Sequence, residues 1–205
     1  MNNILVVSAH ADDAEIMAGG TIIKWQKEGK KVFVVNLTDG ELILPNGDVY
    51  RSKNDAKSEE MKVAEFIGYK QYNLGYKNLH LEFKDDIVVK LLEIINKNTI
   101  DTIIYPHNKD VHHDHEIASR LAIAASRRVP NLLMGQINYF LNDFFTPNVF
   151  VDISDTWDKK IEALSIYKSQ WRDDWYEFLD ATSTYYGKII GVKRAEGFYS
   201  SKLKL

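Results

Sequence analysis

A chain of 205 residues, 45% hydrophobic and 27% charged, has the composition of a globular protein able to bury a core, and its length suits a single domain over residues 1–205. A net charge of -3 carries no electrostatic footprint for nucleic acid, and no stretch approaches the roughly 20 apolar residues of a membrane span. The absence of cysteine excludes disulfides, thiolate metal sites and a cysteine nucleophile, so any metal has to be held by His, Asp or Glu, and a reducing cytoplasmic setting is expected.

Residues 4–8, ILVVS, are continuously apolar, as expected of a strand buried on both faces. The run is too short for a secretory leader and meets His10 and Asp12 at once. Residues 17–28 have helical character and stop at Gly29, 32–37 form a second strand, and the polar stretch 42–55 with Pro45, Asn46 and Gly47 is expected to be a loop. A helix follows over 56–67, stopped by Gly68, then a short strand at 71–74. Apolar residues at 87, 88, 91, 92, 94 and 95 give 85–96 a helical face, while 102–105 is a strand closed by Pro106 and 114–127 another helix. Beyond these, 149–153 suits a strand and 156–168 a helix, and 185–198 is ambiguous. Alternating strands and helices, with neither an internal repeat nor a linker, predict an α/β doubly wound fold: three layers with a mostly parallel sheet in the middle.

In such sheets ligands sit beyond the carboxyl ends of the strands. Both charged clusters of this chain fall there: AHADDAE at 9–15 after the first strand, and the group His107, Asp110, His112, His113, Asp114 and His115 after the strand at 102–105. Five of the six histidines lie in these two segments. A catalytic divalent metal usually takes three protein ligands and keeps one position open. His10, Asp13 and His115 form such a set, which leaves Asp12 free to act as a general base toward a metal-activated water. His112, three residues before His115, is then placed to stabilise an oxyanion or to protonate a leaving group, with Asp114 orienting it. Taken alone, the acidic pair would serve as a helix cap, with Glu15 completing a capping box, and HHDH as a solvated helix start; the two clusters together favour the metal site. His80 suits a structural role, and the Trp- and Tyr-rich segment 157–186 suits core or interface better than a sugar-binding wall.

These motifs resemble the two signatures of the PIG-L/LmbE family of metal-dependent N-acetyl deacetylases: AHADDAE with MAGGT, and DVHHDH. The likeness continues through LTDGE at 37–41, AEFIG at 64–68, FTPNVFVDIS at 145–154, KSQ at 168–170 and GVKRAEGF at 191–198. The resemblance implies a Rossmann-like fold, zinc (or ferrous iron) on His10, Asp13 and His115, Asp12 as base, and His112 with Asp114 behind it at the tetrahedral intermediate. It further implies a small-molecule substrate, an N-acetylated amino sugar or sugar conjugate, and a homo-oligomer, trimeric or hexameric. The chain departs from the family in having Ala11 where most members carry proline, and Ala56 at the place of a family arginine, which makes Arg51 the candidate for substrate contact together with Asp110 and His107. Two alternatives stay open. A non-haem iron oxygenase uses the same ligand types, and Gly19-Gly20 suggests a sugar- or nucleotide-binding module without catalysis, although no GxGxxG or GxxxxGK[ST] is present.

Overall fold

Side-chain alternation along β1 (Asn3–Ser8) sets the layers. Ile4 and Val6 enter the core on one face of the sheet, Leu5 and Val7 on the other, and all four are at most 1% exposed. The computed structural model describes residues 1–141, 143–170 and 172–204. After β1 come α1 (Asp13–Lys27), β2 (Lys31–Thr38), a hairpin of β3 (Leu42–Ile43) and β4 (Val49–Arg51), α2 (Lys53–Ile67), β5 (Lys70–Tyr76), α3 (Asp85–Lys97) and β6 (Thr102–Pro106). The chain continues through α4 (His113–Ala125), β7 (Asn131–Gly135), β8 (Val149–Asp152), α5 (Trp157–Leu164), α6 (Asp173–Ile190) and β9 (Ala195–Lys202).

The main sheet runs β5-β2-β1-β6-β7-β9-β8. Its first five strands are parallel, and β9 runs antiparallel to both β7 and β8. Residues of α1, α2, α5 and α6 fill the core on the Ile4 face, and those of α3 and α4 fill it on the Leu5 face. The chain therefore adopts the α/β three-layer architecture that its strand-helix alternation predicts. From β1 it winds outward through β2 to β5, then crosses back to place β6 on the other side of β1. The switch point between β1 and β6 is where the ends of parallel strands diverge and leave a crevice. No helix among the described residues is long and apolar enough to cross a membrane.

Several elements differ from expectation for physical reasons. Helix α1 begins at Asp13, four residues earlier than its apolar pattern starts, because the charged first turn is buried. The expected loop 42–55 contains the β3-β4 hairpin, and α2 starts within it at Lys53, capped by the Ser52 side chain accepting from the Asp55 amide. Strand β7, missed in the sequence, is five buried residues between Pro130 and Gln136. The helix expected over 156–168 ends at Leu164, and the ambiguous 185–198 divides at Gly191, whose φ of 76° lets the backbone turn from α6 into β9.

Gly19 and Gly20 lie inside α1, not at a ligand-binding turn, and they admit a buried ion pair. Lys160 of α5 bonds Glu196 of β9 at 2.7 Å and donates to the Ile16 carbonyl at 2.8 Å. Glu196 in turn accepts the Gly20 and Thr21 amides at 2.9 and 2.7 Å. A Cβ at position 19 would stand 3.1 Å from Lys160 Cγ, and one at position 20 would stand 2.8 Å from Ile153. Because an isolated buried charge is expensive, Lys160→Met should cost about 3–5 kcal/mol in unfolding free energy, read from urea midpoints. Adding Glu196→Gln should recover only part of that loss, since it removes the unpaired charge but its single amide oxygen can replace one of the two carboxylate oxygens that accept the Gly20 and Thr21 amides.

Candidate metal centre

The first cluster is built by the sharp turn from β1 into α1. Asp13 Oδ2 accepts the amides of Ala9 and His10, both at 2.9 Å, which fixes the carboxylate against the strand end. Asp12 occupies the position just before α1 with φ 112° and ψ -30°, a conformation unfavourable for a residue with a Cβ, and its side chain makes no capping hydrogen bond. Glu15 forms no capping box either: it is 1% exposed and accepts the hydroxyls of Tyr69 and Tyr167 at 2.7 and 3.0 Å. Burial raises Glu15 to about 7, against the pull of those two hydrogen bonds.

The second cluster arrives on the first turn of α4. His10 Nε2 lies 3.1 Å from Asp114 Oδ2, and His115 Nδ1 lies 3.2 Å from Asp110 Oδ1. In neutral rings these bonds put the protons on His10 Nε2 and His115 Nδ1, leaving lone pairs on the two nitrogens that face each other at 3.2 Å. Asp13 Oδ1 stands 3.2 Å from His115 Nε2. Donors at about 2.0–2.1 Å from a tetrahedral ion are about 3.3 Å apart, so His115 stands at ligand spacing from both His10 and Asp13, while His10 Nδ1 lies 3.7 Å from Asp13 Oδ2. The imidazoles also register the surplus negative charge. Burial opposes their protonation, yet hydrogen bonds from Asp114 and Asp13 raise His10 to about 9, while Asp13 and Asp110 raise His115 to about 10. Burial likewise opposes ionisation of Asp13, but His115 and His10 hold its carboxyl well below the usual range.

His112 completes a group of three imidazoles whose nitrogens lie within 4.8 Å of one another. Its Nδ1 accepts the Asp114 amide at 3.2 Å, which assigns its proton to Nε2 and makes it a hydrogen-bond donor toward the cleft. Burial and the neighbouring His10 and His115 push it down to about 4, so it is neutral. The expectation that Asp114 stands behind His112 is corrected here: the Asp114 carboxylate holds His10 and accepts the amides of Leu79 and Leu81, and only its backbone N–H touches His112. His113 faces away, to the Leu81 carbonyl.

Above the imidazoles opens a cleft of about 160 Å³, lined by Asp12, Arg51, Leu42, Asn78, Leu79, Asn138, Gln170 and Trp175 among others. Burial first, then the Asp13 charge, raise Asp12 to about 7. Arg51, 3% exposed at the end of β4, reaches this cleft as expected. Asp110 and His107 do not line it. Asp110 instead holds His115, the His112 amide and Asn138 Nδ2, and His107 packs edge-on to Phe145. Asn138 carried no mark in the sequence, and Trp175 belongs to the aromatic segment expected to be core or interface; that both line the cleft depends on contacts between distant segments. Within the aromatic segment Trp157, under the Arg194 guanidinium, Tyr167, on Glu15, and Tyr186 are buried, Tyr176 and Tyr185 are exposed, and Trp175 walls the cleft; Trp171 lies outside the described residues.

Over residues 5–126 the chain matches the model of the PIG-L family, described as GlcNAc-PI de-N-acetylase. It is 29% identical over 219 residues to the diacetylchitobiose deacetylase of Thermococcus kodakarensis, covering 96% of this chain and 82% of that protein. It is 29% identical over 185 residues to a probable N-acetyl-alpha-D-glucosaminyl L-malate deacetylase 2 of Bacillus cereus, covering 82% and 83%. The structure of N,N'-diacetylchitobiose deacetylase from Pyrococcus horikoshii superposes with a TM-score of 0.82 at 26% identity, covering 98% of this chain and 84% of that one.

If Asp110 and Asp114 orient the imidazoles, Asp110→Asn and Asp114→Asn should each weaken zinc binding by about 10–100-fold in a chelator competition titration. His107→Gln should leave it unchanged.

Proposed function

Because the chain belongs to the GlcNAc-PI de-N-acetylase (PIG-L) family, we propose that it is a metal-dependent hydrolase that removes the acetyl group from the nitrogen of an amino sugar or sugar conjugate, releasing acetate and a free amine. The observation that carries this reading is Asp12. Its carboxylate is buried, takes no part in capping, and lines the cleft beside three converging donors, on a backbone whose strain costs of order 1–3 kcal/mol. Such strain is retained where the side chain has work in the site.

A zinc or ferrous ion held by His10, Asp13 and His115 would supply Lewis-acid chemistry, polarising the amide carbonyl and acidifying water. Asp12 removes the proton from the attacking water and returns it to the departing nitrogen, without which an amide does not expel its amine. His112, neutral with its proton on Nε2, donates a hydrogen bond to the oxygen on which charge develops. Arg51 and Trp175 hold the sugar against the cleft wall. The oxygenase alternative would leave Asp12 without a task, and the binding-module alternative loses its premise because Gly19 and Gly20 lie within a helix.

Acetate release from N-acetylated sugars by the zinc-loaded chain tests the reading. Asp12→Asn should keep stoichiometric zinc while losing about 10²–10⁴-fold in kcat, and His112→Ala should lose about 10²–10³-fold. His115→Ala should lose the metal itself. An Asp12→Asn variant turning over near the wild-type rate would sink the assignment of the base.

A further inference from the structure

We infer that the cleft selects an acetamido sugar residue that carries no charged substituent, and that Glu59 sets this selection by cancelling the charge of Arg51. The inference rests on the deacetylase reading for the acetamide and goes beyond it for the remainder of the substrate. The relatives leave the point open, since one is named for an uncharged disaccharide and another for a malate conjugate that carries carboxylates.

Among the described residues Arg51 is the sole Lys or Arg side chain lining the cleft. Its Nη2 is paired with Glu59 Oε2 at 3.1 Å, with the two side chains 3% and 12% exposed, so solvent screens the pair little. Glu59 is not free to swing away. Its two oxygens also accept the Ser169 amide at 3.0 Å and the Ser169 hydroxyl at 2.6 Å, tying α2 to the segment that carries Gln170. At the rim, Lys53 is shared between Asp39 at 2.9 Å and Glu41 at 3.8 Å, two carboxylates against one ammonium. A phosphate or carboxylate on the bound sugar would therefore have to break a fixed, poorly screened ion pair or lie against acidic groups.

What the cleft still offers suits hydroxyls. Gln170 brings a carboxamide, Asn78 and Asn138 bring two more, and Trp175 brings an apolar ring face. At about 160 Å³ the cleft is smaller than the roughly 300–1,000 Å³ that encloses a drug-sized ligand, so it encloses one sugar ring. The selection accordingly falls on the ring bearing the acetamide and its immediate substituents, while larger groups project into solvent.

The test compares methyl N-acetylglucosaminide with N-acetylglucosamine 1-phosphate and 6-phosphate. Binding to the zinc-loaded Asp12→Asn variant is measured by calorimetry, and acetate release is measured with the wild-type chain. The neutral glycoside should bind roughly tenfold tighter than either phosphate, about 1.4 kcal/mol. Adding Glu59→Gln should close most of that gap by strengthening phosphate binding relative to glycoside binding. Phosphates binding as tightly as the glycoside with Glu59 intact would overturn the inference, as would a Glu59→Gln change that weakens all three ligands alike. The expected binding preference without acetate release from any of them would instead remove the deacetylase reading and leave the charge selection standing.

Discussion

Asp13 takes two backbone N–H groups from the strand that it follows, and the geometry of the site depends on that contact. The amides of Ala9 and His10 hold Oδ2 and aim Oδ1 across the sheet at His115, joining the end of β1 to the start of α4 at the switch point. To bring the carboxylate back onto the strand end, the chain has to turn from strand to helix within a few residues. Asp12 absorbs that turn at positive φ, which prevents it from capping the helix and presents its carboxylate to the cleft. The proposed ligand and the proposed base are thus two consequences of one tight turn.

Two further carboxylates work from behind. Asp114 holds His10 and is itself fixed by the amides of Leu79 and Leu81, so the loop after β5, the end of β1 and the start of α4 meet at one side chain. Asp110 does the same for His115 and draws in Asn138 from beyond β7. Each imidazole is left with one nitrogen bound to a carboxylate and the other facing the common point, the arrangement that sets tautomer and basicity in metal-binding histidines. His112 has a backbone N–H behind it instead of a carboxylate, and that difference separates a donor of protons from a donor of lone pairs.

The C-terminal third of the chain braces this machinery. Tyr167 joins Tyr69 in holding Glu15 one turn along α1 from the ligand turn, and the Lys160–Glu196 pair grips the middle of the same helix. Because α1 carries Asp13 at its first residue, pinning the helix from α5 and β9 fixes the position of that carboxylate along the helix axis. The segment that follows α5 then supplies Gln170 and Trp175 to the cleft, and Glu59 joins that segment to Arg51. Support and substrate wall come from one stretch of chain.

The sequence by itself determined the layered α/β architecture and the two clusters that meet at its crevice. Apolar runs such as 4–7 and 103–105, alternating with helical patterns, suit a sheet covered on both faces, and charge placed directly after such strands falls at the strand ends. Arg51 was legible only as the nearest arginine to a family position, and β7 was missed because its five residues, from Asn131 to Gly135, are too few to carry a periodicity of their own. Tertiary structure alone decided that Asp114 serves His10 and not His112, that Asp110 and His107 lie away from the cleft, and that Trp175 walls it while Trp157 is core. Those outcomes depend on which side chains from distant segments arrive within hydrogen-bond reach. Periodicity fixes the face of an element, but the partner of a buried polar group is chosen by packing between elements that the local sequence does not encode.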